Sequence, residues 1–220
     1  MPEASGIVLR LMAMLSPAFP VGSFSYSGGL EAAVEAGRIA DADDLADWIA
    51  TLLDHGSAWN DAVLLAAAWN AGCDAAALAE VADLAEALAG SAERHRETML
   101  QGTAFLAAGR NWPGLAVPTA SEIAYPVAAG AVAGANALPL RETLAAFLQA
   151  LASNMIQAAI RLGVTGQSEA VTVLARLEPA LMDAARRAAA SDLDELGSAA
   201  IAADILSMHH ETQYSRLFRS

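Results

Sequence analysis

Three adjacent side chains near the end of the sequence, His209, His210 and Glu211, are of the types that hold divalent metals, and such a site needs several ligands converging on one ion. Successive residues on a helix point about 100° apart, so at most two of the three can face one ion. The His-Glu-x-x-His spacing of a helical zinc site is absent. A helical metal-binding enzyme built on this cluster, with His95 added, is one reading; a polar helix surface or an interface is the other. His95, between Arg94 and Arg96, also reads as a solvated or salt-bridged position, and His55 as a complement to a helix end.

A second run, Gly22-Ser-Phe-Ser-Tyr-Ser-Gly-Gly29, has the composition of an anion-binding nest or a nucleophile loop ahead of a helix. The Gly-x-Ser-x-Gly elbow is missing, and so is the strand that would precede it. Glycines allowing close packing and Ser hydroxyls satisfying an irregular backbone explain most of the run. They leave Phe19, Phe24 and Tyr26 unexplained, crowded together in a chain that is only 5% aromatic. Aromatics so placed form either a core plug or a contact surface.

The elements that must position these residues are helical. About a quarter of the 220 residues are Ala and 55% are hydrophobic, a composition that favours helix almost everywhere. Helices are expected at about 6–15 and 29–36, through Leu45, Trp48, Ile49, Leu52 and Leu53, at 57–70, 74–88 and 91–108, through 125–133 from a cap at Thr119, and at 139–162 and 168–190, with a last one opening at Ser191-Asp192. Gly37, Gly72 and Gly90 mark breaks, Asp41, Asp43 and Asp44 offer an N-cap region, and Thr119-Ala-Ser-Glu122 matches a capping box. The economical architecture is all-α, one compact domain of about nine or ten helices over residues 1–220.

Charge and rare residues exclude several functions. The net charge is −13, which repels a polyanionic duplex, so no nucleic-acid role is expected. All 12 basic residues are Arg; a P-loop lysine, a Schiff base and a Ser-Lys nucleophile are therefore excluded. Cys73 has no internal partner and there is no Cys-x-x-Cys pair, which fits a reducing compartment. The acidic start MPEASGIVLR does not resemble an export signal. The uncharged runs 11–30 and 123–140 contain Pro and Gly that do not suit a membrane span. A membrane-surface module is a third reading, opposed by the acidic charge. A cytoplasmic location is expected.

The tail, Ser207-Met-His-His-Glu-Thr-Gln-Tyr-Ser-Arg-Leu-Phe-Arg-Ser220, is the other concentration of unusual residues. On a helix Leu206, Tyr214, Leu217 and Phe218 would share part of one face, with Arg216 and Arg219 adding positive charge. Such a face must dock on its own domain or on a partner.

Together, SPAFPVGSFSYSGGLE at 16–31 and SMHHETQYSRLFRS at 207–220 resemble the terminal signatures of the urease accessory protein F family (UreF). Arg96-Glu97-Thr98, Ala124-Tyr-Pro-Val127, Ala158-Ala-Ile-Arg-Leu162 and Gly166-Gln167 fall between them in the family's order. The resemblance implies an all-α, dimeric, cytoplasmic protein without a catalytic centre or bound cofactor. It would bridge the scaffold accessory protein (UreD, also called UreH) and the nickel-carrying GTPase (UreG), coupling GTP hydrolysis to nickel delivery into apo-urease. Carried over by position, Tyr214, Arg216, Leu217, Phe218 and Arg219, with His210 and Glu211, would contact the scaffold and become ordered on binding. Phe19, Pro20, Ser23, Phe24, Tyr26 and Glu31 would lie near that tail or the GTPase. Many members have His where this chain has Gly28, and a proline-containing turn where it has Gly163-Val164-Thr165. The 25 acidic residues are hard, dispersed ligands, so nickel would be in transit at most.

Overall fold

Asp41, Asp74 and Ser91 each stand where a helix begins, and each accepts hydrogen bonds from the otherwise unpaired amides of the first turn. Asp41 takes Asp43 N at 2.9 Å and Asp44 N at 3.0 Å, Asp74 takes Ala76 N at 2.9 Å and Ala77 N at 3.1 Å, and Ser91 Oγ takes Arg94 N at 3.1 Å. The computed structural model describes residues 4–72, 74–120 and 122–220. Among these it places α1 Ala4–Met14, α2 Leu30–Glu35, α3 Ala42–His55, α4 Ser57–Ala71 and α5 Ala75–Ala87. They are followed by α6 Ala92–Arg110, α7 Tyr125–Ala135, α8 Leu140–Arg161, α9 Gln167–Ala188 and α10 Ile201–His210. The all-α expectation holds. Met1 to Glu3, Cys73 and Ser121, the last inside the expected capping box, lie outside the described residues.

The centre is α7, buried from Pro126 to Ala133 and packed against α4 and α6. Helices can approach this closely only where side chains vanish: a Cβ on Gly130 would stand 2.2 Å from the Leu65 carbonyl oxygen, and one on Gly102 of α6 1.9 Å from that of Ile123. Around this centre α3, α8 and α9 close one side and α5 covers α4, while α10 packs across α2 and α6. A file of rings runs through the core, Phe19 to Phe105 to Tyr125 to Phe147, with centroids 5.1, 5.6 and 5.3 Å apart. Phe19 is thus a core plug that anchors the irregular segment before α2. The helix α8 is long and apolar enough to cross a membrane, and its apolar side, including Leu144, Phe147, Leu148 and Ile156, is buried in this core.

Three expectations need correction. The helix expected from Thr119 starts at Tyr125, whose amide is held not by a local cap but by Thr98 Oγ1 of α6 at 3.1 Å. Asp192 opens only the single turn Leu193–Glu195; α10 begins at Ile201 because the His55 carbonyl takes the amides of Ala199 and Ala200 at 2.8 and 3.1 Å, holding that stretch out of a helix. The helix also stops at His210, so Leu206, Tyr214, Leu217 and Phe218 share no helical face: Phe218 is buried and Tyr214 fully exposed.

Candidate partner-binding site

The two unusual segments meet. Gly28 and Gly29 both have positive φ, 62° and 84°, a turn that side-chain-bearing residues rarely adopt. Gly29 also lies under α10, where a Cβ would come 3.3 Å from Ser207 Cα. This turn starts α2 so that Glu31 falls in its first turn with its side chain buried.

Glu31 is the receptor for the tail. Its carboxylate accepts Leu217 N at 2.7 Å, Phe218 N at 2.9 Å and His210 Nε2 at 3.1 Å. Burial alone would raise its pKa, but the hydrogen bonds from Leu217, His210 and Phe218 outweigh it and hold the carboxyl below its ordinary range. His210 is fully buried, and its Nδ1 lies 2.6 Å from Glu93 Oε2. An imidazole with a carboxylate on each nitrogen donates from both only as the imidazolium. Arg216 pairs with the other Glu93 oxygen at 2.5 Å, and Glu211 accepts Ala92 N at 2.8 Å. At the end of the tail the Ser220 carbonyl accepts both Ser27 N, at 3.0 Å, and Ser27 Oγ. Arg219 N donates to the Ser25 carbonyl at 2.9 Å.

Beneath the tail lies a second polar network. Ser220 Oγ donates to Glu97 Oε2 at 2.8 Å; Glu97 also takes Gln101 Nε2 at 3.2 Å and faces Arg94 Nη1 at 3.5 Å, while Arg94 pairs with Asp61. Burial pushes both Asp61 and Glu97 up despite Arg94, and pushes the Tyr125 phenol up as well, with Asp61 adding to it. Asp61, Arg94, Glu97, Gln101 and Tyr125 line a cavity of about 1470 Å³ that reaches α1, the 16–24 segment and α10.

The candidate residues therefore divide. Phe19, Tyr26, Glu31, His210 and Phe218 face inward, Phe19 into the core and the other four into the clasp that holds the tail, so in this conformation none of them presents a surface. Pro20, Glu211, Tyr214, Arg216, Leu217 and Arg219 are exposed, as is Phe24 at 70%, and Ser23 is half-buried. The metal-type trio diverges: His210 points inward to two carboxylates while His209 and Glu211 are exposed. Among the described residues no group of three His, Cys, Asp or Glu is placed to hold a metal ion. His95 Nε2 lies 2.9 Å from Glu86 Oε1. Asp61, Glu93, Arg94 and Asn154, whose amide donates to the Tyr26 carbonyl at 3.1 Å, serve this site without a sequence signal that singled them out.

Comparison with known proteins places these features in a family context. The profile of the UreF family matches residues 39–178. The chain is 58% identical to the urease accessory protein UreF of Agrobacterium fabrum over 223 aligned positions, covering all of both proteins. It is 58% identical to that of Mesorhizobium japonicum over 214 positions, 97% of this chain and 96% of the relative. It is also 58% identical to UreF 1 of Brucella canis over 214 positions, 97% and 94% respectively.

Proposed function

We propose that this chain, which belongs to the UreF family of urease accessory proteins, is a non-enzymatic adaptor of urease maturation that works in the cytoplasm. In this reading it bridges the scaffold accessory protein (UreD/UreH) and the GTPase (UreG), as a homodimer, and regulates the GTP hydrolysis that accompanies nickel insertion into apo-urease. Nickel is cargo in transit. The observation that carries the reading is the clasp: tail and early loop are held together from within by Glu31 and His210, while Phe24, Leu217 and Tyr214, respectively 70%, 54% and fully exposed, stay outside. Large apolar and aromatic groups fixed on a rigid support, with Arg beside them, are the composition of an interface centre.

The test is assembly. Mixing the purified chain with folded scaffold protein and GTPase should give a stable complex on size exclusion, and absence of a complex with either partner overturns the reading. Phe24→Ala with Tyr214→Ala should weaken scaffold binding by at least about tenfold while leaving the melting temperature within roughly the effect of 0.5 kcal/mol per exposed site. Unchanged binding removes these side chains from the interface.

A further inference from the structure

We propose that Arg161 and Arg219 make the clasp a docking surface for an acidic, apolar-bearing segment of the partner that binds the tail; this rests on the adaptor reading above and names the chemistry of that partner's contact. The chain carries 12 Arg against 25 acidic residues. Among the described residues Arg94, Arg176, Arg186, Arg187 and Arg216 are held in ion pairs. Three Arg of the described residues lie over aromatic rings, and one of them, Arg187 over Trp59, is already paired with Asp54. The other two both sit on the clasp. Arg161 lies 4.2 Å from the centre of the Phe218 ring and donates to the Phe24 carbonyl at 2.5 Å; Arg219 lies 5.8 Å from the centre of the Tyr26 ring. Both are exposed and neither has a carboxylate within salt-bridge distance among the described residues.

These guanidinium groups are positioned by rings that are themselves fixed, since Phe218 hangs from Glu31 and Tyr26 is tied to Asn154. A guanidinium has five donors, and Arg161 uses one of them on the Phe24 carbonyl. Phe24 gives its carbonyl to Arg161 and Leu217 directly precedes Phe218 in the chain, and both of these side chains are exposed. Two cations without a carboxylate partner among the described residues, in a clasp that also exposes Phe24 and Leu217, on a protein of net charge −13, complement a segment carrying carboxylates around an apolar side chain. Local cations of this kind on an acidic protein set orientation more than affinity.

The experiment measures scaffold binding by interferometry across roughly 50–300 mM NaCl. For wild type, affinity should fall as salt rises. Arg161→Gln and Arg219→Gln should each weaken binding about three- to tenfold at low salt and flatten that dependence, with Arg161→Lys retaining the salt dependence. Amide exchange at Phe218 shows whether the tail stays docked in Arg161→Gln; if it does not, Arg219→Gln, which removes a looser ring contact, decides. Unchanged affinity and salt dependence in Arg219→Gln, or in Arg161→Gln with its tail docked, overturns the inference and leaves the adaptor reading standing. If wild type does not bind the scaffold, both fall. If the variants dissociate a homodimer and leave scaffold binding intact, the surface belongs to a second copy and the inference is overturned.

Discussion

Replacing Glu31 by Ala should free the tail while the helical body stays folded. The carboxylate receives two backbone amides and one ring nitrogen, at 2.7, 2.9 and 3.1 Å. Hydrogen bonds to a charged group contribute about 1.5–3 kcal/mol each, but the three share one acceptor and are not additive. A released tail also rehydrates its amides, so the loss is capped by the docking free energy itself, to which burial of the Phe218 ring contributes about 1.5–3 kcal/mol. A net loss of about 3–4 kcal/mol follows, and at 1.36 kcal/mol per decade it corresponds to roughly 10²- to 10³-fold faster hydrogen exchange at the Leu217 and Phe218 amides. Glu31→Gln keeps one oxygen acceptor and should lose about one decade. Native-state exchange read by mass spectrometry checks this, with amides inside α4 and α7 as internal controls. Unaltered exchange at residues 217 and 218 in Glu31→Ala would refute the assignment of Glu31 as the tail's receptor. Loss of protection throughout α4 and α7 would place the tail in the global core instead.

Acid gives an independent check on the same carboxylate. Its hydrogen bonds hold the Glu31 carboxyl below the ordinary range, so Glu31 takes up its proton less readily with the tail docked than with the tail released. The docking it contributes is fully present above the ordinary glutamate value of about 4.3 and is lost as pH falls through the lowered value. Tail amides of the wild type should therefore lose protection in that acidic window, and those of Glu31→Gln should respond more weakly there.

Two further changes probe the body. Arg94→Gln leaves Asp61 and Glu97 buried without their cation, at a cost of about 3–5 kcal/mol, and should lower the melting temperature on the order of 10 °C at neutral pH; because burial already raises both carboxyls, the deficit should shrink as the pH is lowered and they take up protons. Gly130→Ala forces a Cβ to 2.2 Å from the Leu65 oxygen, so α4 and α7 must separate; overpacking of about 1–3 kcal/mol or more should outweigh the roughly 1 kcal/mol gained in helix propensity. A melting temperature that rises would show that the helices give way without loss.

Local chemistry made most helices legible. Asp41, Asp74 and Ser91 act on amides two or three residues ahead, and such bonds are visible as sequence spacing. The failures are all tertiary. Nothing near residue 199 shows that the His55 carbonyl will take two amides there, and nothing near Tyr125 shows that its cap is Thr98. The polar residues of α6 illustrate the same limit. Glu93, Arg94, Glu97 and Gln101 recur at helical spacing, a pattern that a solvated face shares; only packing reveals that Glu97 and Gln101 are buried and that the stripe is the floor of a site.

The resemblance rested on two runs at opposite ends of the chain, and the fold gives a physical reason for that pairing. Glu31 and Phe218 are 187 positions apart in sequence, yet one carboxylate reads the backbone amides of the other segment. Backbone recognition places little demand on the tail's side chains, so it does not by itself account for a distinctive motif. The side-chain demands come from elsewhere: His210 between two carboxylates, Arg216 on Glu93 and the Ser220 hydroxyl on Glu97. Tyr214 and Leu217 answer to none of these contacts and are exposed. An aromatic and an aliphatic group left outward by a segment anchored inward through His210, Phe218 and Ser220 are free to meet another molecule, and that division of the tail is what the adaptor proposal draws on.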